Sequence, residues 1–250
     1  MSKQFNINQN GCSICCSLYG RDDRDTERVI VYGHGFGGHK DNRAAARFAE
    51  YVISKWKNVA VVCFDWPCHG DDARKKLQLE DCDLYLRSVI EYVRERFPSA
   101  SLMAYATSFG GYLFLKYIAE HGDPFEKTAL RCPAVPMYDV ITRSIIRQEE
   151  AEKLSKGKDV LVGFDRKIKI SPEFLESLQR ADLRRYSFIP YCDDVMILHG
   201  TKDEIVPIMA VESFAESNHI PFFPIENADH RFVDPGKMTE AIKMIADFLE

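Results

Sequence analysis

Leu102 to Gly111, reading LMAYATSFGG, is the stretch on which the reading of this chain turns. An apolar, strand-like run passes through Ala106-Thr107-Ser108-Phe109-Gly110 and straight into a helical apolar pattern, Tyr112 to Ile118, with no loop between them. A strand that reverses into a helix over so few residues crowds the positions two before and two after its apex, so both must be small. Ala106 and Gly110 meet that demand. The apex residue, Ser108, is forced into a strained backbone conformation with its hydroxyl held clear of the sheet. A serine in a strand-helix turn is more often just an N-cap, and small-x-Ser-x-Gly also arises by chance, so the pentapeptide needs support from elsewhere in the chain.

Working outward, strands and helices alternate on both sides. Gln4 to Asn8 and Ser13 to Leu18 read as a hairpin around Asn10-Gly11. Arg28 to Tyr32 and Val59 to Asp65 are short β-branched runs expected to be buried on both faces, as in the middle of a parallel sheet. Helical patterns follow at about Asn42 to Trp56, with Ala45, Phe48 and Val52 on one face, and at Leu79 to Phe97, with Leu86, Ile90, Val93 and Phe97 as its stripe. Thr128 to Cys132, Val195 to Leu198 and Phe222 to Ile225 read as further strands, and Lys237 to Leu249 as the closing helix. This alternation predicts an α/β fold, a doubly wound, mostly parallel sheet. It stops between Pro133 and Asp193, where a charged helix near Arg147 to Lys156, a hairpin at Val160 to Ile170 and an amphipathic helix from Pro172 to about Arg185 are expected. The predicted division is therefore a core of residues 1–132 and 194–250 and an inserted cap, 133–193, over the C-terminal edge of the sheet.

With 250 residues, 46% hydrophobic and 28% charged, the chain is long enough for one large α/β domain with a sizeable core. No segment has the apolar length that spans a bilayer, and the polar opening MSKQFNINQN lacks the apolar core of a secretion signal, so the expectation is a cytoplasmic protein. A net charge of −5 with scattered Lys and Arg offers no basic stripe for nucleic acid or an anionic membrane. The eight cysteines sit in strand-like contexts such as Val62-Cys63-Phe64 and read as buried thiols. Cys12, Cys15 and Cys16 lack a second Cys or His pair at finger-like spacing, so no metal site is expected.

Three strand ends then present a hydroxyl, a carboxylate and an imidazole: Ser108, Asp203 and His230, in that chain order. In this the sequence resembles the α/β-hydrolase superfamily, whose nucleophile sits on an elbow after a central strand, here with Ala106 in place of the usual first glycine. The resemblance extends over the His34-Gly35 loop, the Asp65 to Gly70 turn, the elbow, the His199 to Asp203 loop and His230. It implies Ser108 as nucleophile, His230 as base and Asp203 as acid, because a serine hydroxyl needs a base and the imidazole needs a carboxylate to fix its tautomer. Glu204 is the neighbouring candidate acid, but Asp203 fits the strand-His-Gly-x-x-Asp pattern; Asp229 is expected to shape the loop.

The resemblance further assigns the backbone N–H groups of Phe36 and Phe109 to an oxyanion hole and implies no cofactor. Gly33, Gly35 and Gly38 also satisfy a dinucleotide fingerprint, a competing reading that leaves Ser108, Asp203 and His230 unexplained. Asp65, His69 and Gly70 are expected to be structural, and His39, Asp71 and Asp72 solvated. In the cap, Tyr138, Phe164 and Phe174 are candidates for the substrate pocket; Tyr186 and Phe188 are further aromatics there. The pattern His34-Gly35-Phe36-Gly37-Gly38 with a cap of this length is similar to the cinnamoyl-esterase and monoacylglycerol-lipase-like branches. They imply a serine hydrolase cleaving small-molecule esters with short or aromatic acyl groups through an acyl-enzyme, in a small roofed pocket. A peptidase, an aminopeptidase or a thioesterase would use the same triad, and a non-catalytic hydrolase-like binding protein is the alternative from another class.

Overall fold

The computed structural model describes residues 2–164 and 166–250. Eight strands form the main sheet. A hairpin, β1 (Lys3–Gln9) and β2 (Cys12–Gly20), turns through Asn10 and Gly11 at φ 51° and 74°, the left-handed pair that a two-residue loop requires. β3 (Arg28–Gly33), α1 (Arg43–Lys55), β4 (Val59–Phe64), α2 (Leu79–Arg96), β5 (Ser101–Thr107), α3 (Phe109–His121) and β6 (Thr128–Arg131) follow in alternation. The insertion carries the single turn α4 (Met137–Val140), a π-helical turn at Ile141–Ile145, α5 (Gln148–Leu154), the separate hairpin β7 (Val160–Val162) and β8 (Ile168–Ile170), and α6 (Pro172–Arg180). β9 (Val195–Gly200), α7 (Ile208–Ser217), β10 (Phe222–Ile225) and α8 (Pro235–Leu249) complete the chain.

The strand order is β1-β2-β4-β3-β5-β6-β9-β10, antiparallel at the first two pairings and parallel thereafter. Every residue of β4 is buried, as its unbroken apolar run VAVVCF demands of a central strand covered on both faces. Helices start where capping residues stand: the Asn42 side chain accepts from the Ala45 N–H, Ser171 caps α6 ahead of Pro172, and Asp234 caps α8 ahead of Pro235. One hydrophobic core lies between the sheet and α1 with α8, holding Phe48, Val52, Ile242 and Leu249; the other lies under α2, α3, α7 and the insertion. Among the described residues no helix is long and apolar enough to cross a membrane.

Register places the site. Gly33 of β3 pairs with Ala106 of β5, and Thr107 pairs with Arg131 of β6, which pairs with Leu198 of β9. The loops after β3, β5, β6 and β9 therefore leave the sheet side by side at its C-terminal edge. Helix α7 was not anticipated, because only Val211, Phe214 and Ala215 of it are buried and its apolar pattern is short. The part of the insertion that reaches the β3 loop is the tip of the expected hairpin, β7–β8. There a Cβ on Gly163 would stand 3.5 Å from the Phe36 ring, and Arg166 donates from Nε to the Cys68 carbonyl oxygen at 3.2 Å.

Candidate active site

Ser108 has φ 52° and ψ −117°, a conformation that a non-glycine residue adopts only under constraint. The constraint is visible on both sides. Its N–H donates to the Arg131 carbonyl oxygen at 3.1 Å, and its own carbonyl oxygen accepts from Tyr112 and Ala134. A Cβ on Gly110 would lie 2.6 Å from the Gly33 carbonyl oxygen and 2.7 Å from that of His34, so the first turn of α3 can approach β3 only with glycine at this position. The loop after β3 passes equally close to the hydroxyl: a Cβ on Gly35 would be 3.2 Å from the Ser108 Cβ.

His230 follows β10 and Asp203 follows β9. His230 Nε2 lies 2.9 Å from Ser108 Oγ, and its Nδ1 lies 2.7 Å from Asp203 Oδ2. The Asp203 side chain is out of solvent. Oδ1 accepts the N–H groups of Ile205 and Val206 at 2.9 and 2.8 Å, and Oδ2 takes a second imidazole, His199 Nε2, at 3.1 Å. Burial pushes this carboxyl upward, but the hydrogen bonds from His199, His230 and the Val206 N–H outweigh it and hold the group well below the usual carboxylate range. His199 Nε2 faces both Asp203 and the Val206 carbonyl oxygen, two acceptors, so it carries the proton. Sequence reasoning placed His199 in the motif without seeing this contact. Glu204 accepts from the His230 backbone N–H, at 3.4 Å, and Asp229 caps the Val233 N–H at 3.1 Å, shaping the loop.

The β3 loop is held by a buried polar network. His34 Nδ1 lies 2.8 Å from the Gly35 carbonyl oxygen while Nε2 accepts the Trp66 N–H, which fixes a neutral ring with its proton on Nδ1; burial accordingly drives its pKa well down. Asp65 accepts the N–H groups of Lys40 and Asp71, and a Cβ on Gly70 would fall 2.1 Å from its carboxylate, so Asp65, His69 and Gly70 are structural. His39 is exposed. Asp71 is exposed, as expected, and pairs with Lys40 at 2.6 Å; Asp72 corrects the expectation of simple solvation, being half-buried and accepting from the Cys68 and Arg74 N–H groups and the Tyr85 hydroxyl.

Phe109 is the first residue of α3, a position whose N–H has no partner within its own helix. The Phe36 and Phe109 rings meet edge to face at 5.6 Å, so the β3 loop packs on the first turn of α3. The dinucleotide reading loses its basis here: α1 begins only at Arg43, five residues beyond Gly38, and no glycine of the motif opens the helix. Cys15 and Cys16 point to opposite faces of β2, which separates the cysteine cluster.

Residues 24–149 match the family described as serine aminopeptidase, S33. The chain belongs to this family. It is a serine-hydrolase-type member of the α/β-hydrolase superfamily. Among curated relatives, monoacylglycerol lipase abhd6-B of Xenopus laevis is 25% identical over 179 residues, 71% of this chain and 49% of the relative. Human monoacylglycerol lipase ABHD6 is 23% identical over 202 residues, 80% of this chain and 55% of the relative. The chain thus spans about half the length of the curated relatives it matches. The structure titled "Ferulic Acid bound to Est1E from Butyrivibrio proteoclasticus" superposes with a TM-score of 0.80 at 18% identity, covering 98% of this chain and 97% of that one. A monoacylglycerol lipase of Paleococcus ferrophilus gives 0.67 at 19% identity, with 95% and 98% covered. At these identities the structural likeness shows the fold.

In this S33 hydrolase Ser108 and His230 open on a cavity of about 1480 Å³, larger than the small roofed pocket expected from the sequence. Its apolar wall comprises Phe36, Met137, Val140, Ile145, Phe164 and Ile205. Of the three aromatic pocket candidates, Phe164 lines it. Phe174 does not: it is only 3% exposed and packs in the core beneath α6, as its place on the buried stripe of an amphipathic helix requires. Tyr138 is half-buried and packs against the same core rather than on the cavity wall.

Proposed function

We propose that the protein is a serine carboxylic-ester hydrolase working through an acyl-enzyme, with Ser108 as nucleophile, His230 as general base and Asp203 as the acid that orients it. The observation that carries this reading is the continuous chain Ser108 Oγ, His230 and Asp203, at 2.9 and 2.7 Å, opening on a cavity with an apolar wall. As Ser108 Oγ attacks the ester carbonyl, His230 Nε2 takes its proton, and Asp203 stabilises the imidazolium through Nδ1–H. The developing oxyanion falls between the Phe36 and Phe109 N–H groups. His230 then returns the proton to the leaving alcohol, and water repeats the sequence to release the acid.

Esters are favoured over peptides with a free amino terminus by the charge of the cavity. An aminopeptidase must hold a substrate ammonium, and among the described residues the lining carboxylates are Asp41 and Asp71, both paired with Lys40. The names of two relatives, both monoacylglycerol lipases, and the ferulic acid bound to Est1E support a carboxylic ester as the substrate class. The six apolar wall residues, with Phe36 and Phe164 facing the site, suit a short or compact aromatic acyl group. Fluorophosphonate labelling followed by peptide mapping, with p-nitrophenyl esters set against aminoacyl anilides, tests the proposal. Labelling at Ser108 together with ester turnover is expected; no labelling would leave a hydrolase-like binding protein, and faster anilide turnover would make the enzyme a peptidase.

A further inference from the structure

The cavity that opens on Ser108 has a second end, on the α1 and α8 side of the sheet, lined by Tyr32, Arg43, Arg47, Arg131, Phe232 and Met238. Arg131 stands at the end of β6, one strand over from the elbow, and is 6% exposed. Its Nη1 donates to the Arg231 carbonyl oxygen at 3.3 Å and lies 3.9 Å from the Met238 sulfur, while the guanidinium stacks on the Phe232 ring at 4.9 Å. Nε is buried with no hydrogen-bond partner, and among the described residues no carboxylate forms an ion pair with the group. Among the described residues Arg47 bonds, through Nη2, to neutral acceptors only, the Pro235 carbonyl oxygen and the Thr239 hydroxyl. Arg43 is the first residue of α1, whose N-terminal dipole end adds partial positive charge at the same place.

The rest of this fold does not leave buried cations in that state. Lys40, with a side chain 4% exposed, is matched by three carboxylates, Asp41, Asp65 and Asp71. Arg131 has the Tyr105 hydroxyl beside it and Asp203 acting on it from beyond contact distance, but among the described residues no carboxylate touches the guanidinium. A guanidinium out of solvent with no carboxylate in contact is costly, and its Nε is left without an acceptor in a cavity that leads to the nucleophile. The net charge of −5 makes a three-arginine cluster here a local feature and not a reflection of a basic protein.

We propose that this end of the cavity is an anion subsite, in which Arg131, with Arg43 and Arg47, holds a carboxylate or phosphate carried by the substrate. The preferred substrates are then esters bearing a negative charge at a distance from the scissile bond, half-esters of dicarboxylic acids or phosphate-bearing esters. The inference rests on the ester-hydrolase reading of Ser108 for the word substrate, but anion binding itself does not depend on turnover.

The test is equilibrium binding to the Ser108→Ala protein, in which an ester stays intact. Monoethyl adipate, with one free carboxylate, should bind at least about tenfold more tightly than ethyl hexanoate, the scale of a charge-assisted hydrogen bond, and the difference should shrink as salt is raised. Inorganic phosphate and acetate as competitors distinguish the two anion types: the one that displaces monoethyl adipate at the lower concentration names the group the site prefers. Arg131→Met should erase the tenfold preference and Arg131→Lys should keep part of it. Should Arg131→Met fail to fold, Arg47→Met and Arg43→Gln, at less buried helix positions, should each reduce the preference severalfold. Equal binding of the charged and neutral esters, or an intact preference in Arg131→Met or in the Arg43 and Arg47 variants, would overturn the proposal. Selective anion binding without turnover of either ester by the wild-type protein would sustain the subsite while removing the ester reading; good turnover of neutral esters with no anion preference would do the reverse.

Discussion

Replacing Asp203 by asparagine changes one oxygen to an NH₂ group, and the structure says which atom suffers. Oδ1 can go on accepting the Ile205 and Val206 N–H groups at 2.9 and 2.8 Å, so the amide nitrogen is forced to the Oδ2 position, facing His230 Nδ1 and His199 Nε2. There it donates. His230 must then leave Nδ1 unprotonated and carry its proton on Nε2, toward Ser108 Oγ, where it cannot act as a base; the imidazolium also loses its counter-charge. In a serine protease the equivalent change lowers turnover by about 10⁴, or about 5.4 kcal/mol of transition-state stabilisation, and a similar loss is expected here. Glu204→Gln, which disturbs a 3.4 Å contact to the His230 backbone N–H, should cost less than about fivefold. The assay is steady-state hydrolysis of p-nitrophenyl butyrate at pH 8. Stability supplies a second readout with a definite sign. Asp203 is held below its ordinary value of 3.8, so its stabilisation is present above pH ~4 and is lost as pH falls through the depressed folded value. The deficit of Asp203→Asn at pH 7 should therefore narrow in strong acid. If Glu204→Gln proved the more damaging of the two changes, the acid would be misassigned.

Gly110→Ala would place a methyl group 2.6 Å from the Gly33 carbonyl oxygen; a loss of about 1–3 kcal/mol in urea unfolding is expected, together with reduced turnover, and an unperturbed variant would show that the elbow has slack. Asp123 is pushed up to about 6 by burial and by Asp194, its Oδ1 accepting the Phe125 N–H while Oδ2 has no partner. A raised acid destabilises the folded state at high pH and ceases to do so as pH falls through the folded value, so Asp123→Asn should add about 1–2 kcal/mol at pH 8 after allowance for partial exposure and almost nothing at pH 4; an equal gain at both pH values would refute this. In a p-nitrophenyl ester series, turnover should peak at short acyl chains, accept ethyl cinnamate and fall toward palmitate, whereas a steady rise to palmitate with a jump on emulsified triglyceride would make the enzyme an interfacial lipase.

The parts of this structure legible in the sequence are those where one local constraint leaves few residue choices. A strand entering a helix without a loop demands Gly110; a two-residue hairpin demands Asn10-Gly11; buried parallel strands demand runs such as VAVVCF. That Ser108, Asp203 and His230 converge followed from three strand ends on one edge. What stayed hidden depends on which way a side chain turns. Phe174 and Phe164 are both aromatics of the insertion, but one sits on the buried stripe of α6 and the other near a hairpin tip, a distinction made by tertiary packing. Arg131 lies within the Thr128 to Cys132 run that reads as a strand, and nothing in that pattern shows that Phe232 and the loop carrying His230 cover its guanidinium.

The same edge shows where the strain of the site is stored. Ser108 and Cys132, the residues that follow β5 and β6, both have left-handed backbones, φ 52° and 47°, and neither is a glycine. Each such residue costs of the order of 1–3 kcal/mol and persists only if its surroundings overdetermine it. They do so jointly: Ser108 N–H is fixed by the Arg131 carbonyl oxygen, Cys132 N–H by that of Leu198, and the Ser108 carbonyl oxygen by the Ala134 N–H. Each strand end is thus held by its neighbour in the order β5, β6, β9, and β9 is followed directly by the loop of Asp203. The position of the hydroxyl and the position of the carboxylate are therefore set by one hydrogen-bonded edge of the sheet. His230 reaches both from the next strand over, which is why its ring can span them at 2.9 and 2.7 Å.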